Sequence, residues 1–75
     1  MRAQDIEVQA VWDSEAGVWV AESDQVPGLT TEAETVEQLV FKLESLIPEL
    51  LELNTPELSG TYTVRLKAER TLHAA

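Results

Sequence analysis

The chain contains no cysteine, which excludes disulfides and thiolate metal ligation as ways of holding a small domain together. Its one histidine, His73, lies in a tail expected to fray, so neither a histidine base nor a histidine-rich metal site is expected. No apolar run approaches the roughly 20 residues of a membrane span, and the N-terminus lacks the basic-then-apolar pattern of a signal peptide. A cytoplasmic protein without membrane contact is the expectation. Bases are scarce as well: five Lys and Arg stand against fourteen Asp and Glu, a net charge of −9, and Lys42 is the only base between Ala3 and Val64. A surface this acidic repels nucleic acid and suits basic protein partners, although a merely solvated surface would look the same.

The residues of common catalytic sites are equally sparse. There is no glycine-rich phosphate loop, and Ser14, Ser23, Ser45 and Ser59 lack a plausible base. Two-metal hydrolysis needs several carboxylates converging on paired metals. Asp5, Glu7 and Glu22 lie on or near strands, where solvated strand-face acids are the simpler reading. Asp13 and Glu15 sit in a turn without the glycine and final bidentate glutamate of a calcium loop. The expectation is a protein that is not an enzyme and carries no cofactor or metal.

What the chain does have is one long amphipathic stretch. From Thr35 to about Leu53, the residues Val36, Leu39, Val40, Leu43, Leu46, Ile47, Leu50 and Leu51 recur at steps of three and four. At about 100° per residue they form a stripe roughly 140° wide, suited to a helix lying on a sheet. Thr35 is a good N-cap, with Gln38 completing a capping box, and Asn54, Thr55 and Pro56 mark the end. Two residues break the pattern. Pro48 falls inside the helix, on the side away from the stripe, where a convex bend accommodates it. Phe41 projects from the same outer side, either as a single exposed aromatic or as a contact with another chain.

Around this helix the sequence alternates as strands do. Ile6, Val8, Ala10 and Trp12 form a half-buried face after a short lead-in of residues 1–5. Asp13 to Gly17 supply turn chemistry, and Val18 to Ser23 complete a hairpin. The register of this second strand is open: either Val18 and Val20 face the helix and Trp19 joins Val11 on the helix-free face, or the reverse. In the first case Val11 and Trp19 would offer an apolar docking patch. Asp24 to Gly28 form a turn in which Pro27 and Gly28 pair as in type II, followed by a short third strand at about Leu29 to Glu32. After the helix and a loop at Glu57 to Gly60, Thr61 to Glu69 alternate with Tyr62, Val64, Leu66 and Ala68 inward. A strand-helix-strand crossover returns parallel and right-handed. The fold class expected is α+β: a β-β-β-α-β chain in sheet order 3-2-1-4, with a three-stranded antiparallel meander, a fourth strand parallel to the first, and one helix on one face. A single domain spans residues 1–75, its core about 6–69 and its tail 70–75.

These residues also carry a resemblance. The loop Asp24, Gln25, Val26, Pro27, Gly28, Leu29 and the downstream Glu34, Thr35, Val36, Glu37, Gln38, Leu39 resemble the D-x-P-G signature and helix start of the HicB-like antitoxin superfamily. The hairpin residues Trp12, Asp13, Gly17, Val18, Trp19, Val20 and Ala21 are similar to those of its short stand-alone members. The similarity covers about residues 6–53. It implies a partial ribonuclease H-like fold, with Asp24, Pro27, Gly28, Thr35 and Glu37 as the family-motif positions. It further implies pairing with a small basic ribonuclease toxin that the domain neutralises.

The chain departs from that family in two respects: Ala33 stands where glycine is frequent, and residues 70–75 are too few for a DNA-binding motif. DNA binding is therefore not expected of this chain, and Arg65, Lys67 and Arg70 make only a weak electrostatic footprint. A domain this small gains stability by association. The sequence thus leads to a non-catalytic interaction module that forms a dimer or higher symmetric oligomer, with Val11, Trp19, Phe41 and Pro48 as candidate interface residues and a basic toxin as expected partner. The alternative is an orphan oligomeric domain of the same fold that binds another protein or a small ligand.

Overall fold

The structure, a computed structural model, describes residues 4–54 and 62–74. Its elements are β1 (Gln4–Asp13), β2 (Val18–Glu22), β3 (Thr31–Ala33), α1 (Val36–Asn54) and β4 (Tyr62–Glu69). The four strands form one sheet in the order β3-β2-β1-β4. β1 pairs antiparallel with β2 and parallel with β4, and β2 pairs antiparallel with β3. This is the α+β topology that the periodicities and the crossover rule predict.

Alternation along β1 buries Ile6, Val8 and Ala10 beneath the helix. On α1 the fully covered residues are Leu39, Leu43, Ile47 and Leu51, each one turn after the last. Val36, Val40, Leu46 and Leu50 flank them half-buried. The Thr35 hydroxyl accepts from the Gln38 backbone N–H at 3.1 Å, so the N-cap forms as the sequence predicts. Glu37 lies in the first turn, where its charge complements the helix dipole. The helix runs unbroken through Pro48, which is exposed.

Both predicted turns take the geometry that their residues demand. The Leu29 N–H donates to the Val26 carbonyl at 3.1 Å, closing a turn whose third residue, Gly28, has φ of 83°. That positive φ is the type II requirement. Val26 and Leu29 are both buried, so the turn inserts its two ends into the core. In the hairpin, the Asp13 carboxylate accepts from the backbone N–H groups of Glu15 and Ala16 at 3.0 and 3.2 Å.

Two boundaries differ from the sequence reading, one open register is decided, and one strand is less covered than its alternation predicts. β1 begins at Gln4 instead of after residue 5, because β4 runs beside it from Gln4 opposite Tyr62 onward. β3 is Thr31–Ala33 and not Leu29 to Glu32, since Leu29 completes the turn and is claimed by the core. Of the two registers open for β2, Trp19 lies opposite Trp12 and Ala33 on the helix side, and Val20 opposite Val11 on the open side. Trp19 and Val11 therefore do not share a face. Finally, β4 is oriented as predicted but incompletely covered: Val64 is 37% exposed and Ala68 is exposed. The loop placed at Glu57 to Gly60 lies outside the described residues.

An unanticipated latch closes the end of the hairpin. The β1–β2 ladder stops at Gln9 opposite Glu22, leaving β1 residues 5–7 without a strand on that side. The Gln25 side-chain amide fills the gap. Its Oε1 accepts from the Glu7 N–H at 2.7 Å and its Nε2 donates to the Asp5 carbonyl at 2.9 Å. The Ser23 hydroxyl donates to the Glu7 carbonyl at 2.6 Å. One primary amide thus takes the place of a neighbouring peptide group. Gln25→Ala is expected to lower unfolding free energy by about 1–2 kcal/mol, because two solvent-accessible bonds are lost together. Urea unfolding should show a lower midpoint at constant slope, and an unchanged midpoint would show that water replaces the amide fully.

Candidate functional site

The face of the sheet opposite α1 has no covering layer among the described residues, and its content follows from strand alternation. β1 contributes Asp5, Glu7, Gln9 and Val11, β2 contributes Val20 and Glu22, β3 contributes Glu32, and β4 contributes Thr63, Arg65, Lys67 and Glu69. Val11 is 55% exposed, and it lies opposite Val20 in the ladder. Exposed strand positions normally carry polar side chains, so a paired valine cross-strand contact in the open is a departure that needs a reason. Around it the charge is negative. At one end, Glu7, Gln9, Glu22, Ser23, Asp24 and Gln25 line a shallow cleft of about 240 Å³. Two cations of β4 share this face, Arg65 opposite Glu7 and Lys67 opposite Gln9, and Lys67 lies 3.4 Å from the Glu7 carboxylate with both side chains largely in water. Exposed pairs of this kind contribute little stability, so the acids remain open to another cation. No group of three acids or histidines among the described residues is arranged to hold a metal ion.

A second surface lies on the helix side, where α1 stops short of β4. Val40, Leu43 and Ile47 of the helix and Val64 and Leu66 of β4 line an apolar groove of about 310 Å³, with Glu44 at its rim. Beyond the end of the strand, Arg70 places its guanidinium 4.4 Å from the centre of the Trp12 ring. Trp12 in turn meets Trp19 edge-on at 5.5 Å. The chain after β4 therefore stays beside the sheet for at least one residue.

The remaining candidates separate cleanly. Phe41 is 76% exposed on the outer side of α1, between two shallow depressions that share Lys42 in their walls. Lys42 itself donates to the Glu32 carbonyl at 2.6 Å, tying the helix to β3. Pro48 is exposed on the same outer side. Neither residue comes near Val11, so the four proposed interface positions fall on three separate surfaces. The motif positions have structural work instead. Thr35 caps the helix, Gly28 supplies the turn, and the Pro27 carbonyl accepts from Asn54 Nδ2 at 3.4 Å where the turn meets the end of α1. Asp24 is exposed at the acidic cleft. Val20, Gln25 and the open β4 flank escaped the sequence reading. Only Val20 had a signal there, in the alternative register.

No helix among the described residues is long and apolar enough to cross a membrane. Residues 5–74 match a family described as a domain of unknown function (DUF1902). The crystal structure of a hypothetical protein from the extremely thermophilic bacterium Thermus thermophilus is 55% identical in sequence, covering 95% of this chain and 100% of its own, with a TM-score of 0.84. No curated protein matches the chain.

Proposed function

The chain belongs to the DUF1902 family, and from the surface that its fold presents we propose that it is a non-catalytic interaction module akin to the toxin-binding domain of HicB-type antitoxins. What supports this reading is the open sheet face: an exposed Val11 opposite Val20, on a face that carries Asp5, Glu7, Glu22, Glu32 and Glu69, with the bases Arg65 and Lys67 confined to its β4 edge. An apolar centre with a charged rim is the anatomy of a protein interface. A small basic protein, such as a ribonuclease toxin, would cover the valines and set its Lys and Arg over the acids. The turn that carries part of the resemblance lends support, because it follows directly on Asp24 and Gln25 of the acidic cleft. A cytoplasmic setting goes with this reading.

The acids give the proposal its test. With Glu7→Lys and Glu22→Lys combined, affinity for a basic partner captured by the wild-type protein should fall at least roughly tenfold, since two attractions become repulsions. Wild-type association should also slow as salt rises. Unchanged binding by the double variant would remove this face from the account. A second reading, an orphan domain that associates with copies of itself, is favoured by a different observation, the uncovered flank of β4.

A further inference from the structure

The sheet has two edges, and they differ. β3, three residues long, is the kind of short edge that offers little to another strand. β4 is eight residues long, pairs with β1 on one side over its whole length, and has no strand on the other among the described residues. Long open edges are templates for strand addition. Charge selects what can be added. On a chain of net charge −9, a second copy is repelled almost everywhere, but residues 62–74 carry Arg65, Lys67 and Arg70 against the single acid Glu69. This edge is where two such acidic molecules approach at least electrostatic cost.

We infer that β4 pairs antiparallel with β4 of a second copy about a two-fold axis at Ala68, joining two four-stranded sheets into one. The inference rests on the self-association reading above and uses the backbone edge of β4, whose Lys67 borders the acidic face. Cross-strand charge favours one register, the one that adds attraction instead of merely avoiding repulsion as an axis at Val64 would. A two-fold axis at Leu66 would set Arg65 against Lys67, and axes at Arg65, Lys67 or Glu69 would set each of those charges against itself, which destabilises a strand pair. An axis at Ala68 sets Lys67 opposite Glu69 twice, once on each side. On the other face it sets Val64 opposite Leu72, which are 37% and 74% exposed in the single chain. Leu72 of the second copy then closes the end of the apolar groove between α1 and β4. The same axis brings Tyr62 opposite residue 74, so the overlap uses the whole of the C-terminal segment that the structure describes. Arg70, already stacked on Trp12, starts that segment in the right direction.

Sedimentation equilibrium on the full chain tests the register as well as the dimer. The wild type should show the mass of two chains of 8.3 kDa. Lys67→Glu alone and Glu69→Lys alone each replace two attractions by repulsions and should raise the dissociation constant at least roughly tenfold. Mixing the two variants should restore dimers, because one chain then carries acids at both positions and the other carries bases at both, so that each facing pair is again opposite in charge. The double variant Lys67→Glu/Glu69→Lys should likewise dimerise. Far-ultraviolet dichroism checks that all are folded. A monomeric wild type would overturn the inference, single variants that dimerise as the wild type does would place the contact elsewhere, and a mixture that stays monomeric would refute the register. Loss of basic-partner binding in the Glu7/Glu22 variant with an intact dimer would separate the two proposals.

Discussion

Leu39→Ala is expected to lower the unfolding free energy by about 2–5 kcal/mol, the range for truncating a fully enclosed leucine. Leu39 has no exposed surface and sits in the first half of α1, where the helix crosses from its cap onto the sheet. The loss has two parts: the transfer energy of the removed methyl groups and the cavity left when the rigid sheet beneath cannot collapse to fill it. For 75 residues a total stability of roughly 4–11 kcal/mol is ordinary, so the variant should stand near the edge of folding. Leu53→Ala is the control. Leu53 is 79% exposed, and its truncation should shift stability by no more than about 0.5 kcal/mol. Urea unfolding of the pair would contradict this picture of the core if the two substitutions had similar effects.

Gly28→Val should cost about 1–3 kcal/mol, the usual range for a side chain held in a sparsely populated backbone region. The cause lies in the backbone and not in crowding. A β-carbon at this position would meet Leu50 Cδ2 at 3.6 Å, an ordinary contact. The φ of 83°, however, is one that side-chain-bearing residues rarely adopt, and β-branched ones least of all. Gly28→Ala should therefore also destabilise, by less, and Gly28→Asn less again, because asparagine tolerates the left-handed region. Since Val26 and Leu29 enter the core from either side of this turn, relief of the strain by opening the turn would withdraw both. Thermal unfolding of the three variants should give that order; equal midpoints for valine and glycine would mean that the turn does not require positive φ.

Local chemistry made most of the fold legible in the sequence. The helix was readable because four residues spaced by one turn had to share a face, and its start because a threonine hydroxyl at the N-cap satisfies an otherwise free N–H. Pro27 with Gly28 specified the turn type, and the strand-helix-strand crossover fixed β4 beside β1. What escaped depends on distances that a pattern does not encode. The register of β2 was ambiguous because Val18, Trp19 and Val20 are all apolar, so alternation had no polar side to mark. Gln25 reads as a turn residue, and its role depends on β1 outrunning β2 by a few residues. Ala68 and Val64 look like core positions from their spacing, and only the lateral placement of α1 leaves them open. The candidate site was less legible than the fold. The alternation of β1 puts Val11 on the helix-free face, but Trp19 joins it only in the register that the fold does not adopt, and Phe41 and Pro48 lie on another surface altogether.

That the open acidic face binds a basic protein is tested most directly by affinity capture of the tagged full chain from native lysate at low salt, with mass spectrometry of the eluate. The account predicts a small basic protein at stoichiometric level, released by raised salt and absent when the bait carries Glu7→Lys and Glu22→Lys. Elution of the protein with itself alone, or of a partner that the charge-reversed bait holds equally well, would contradict it.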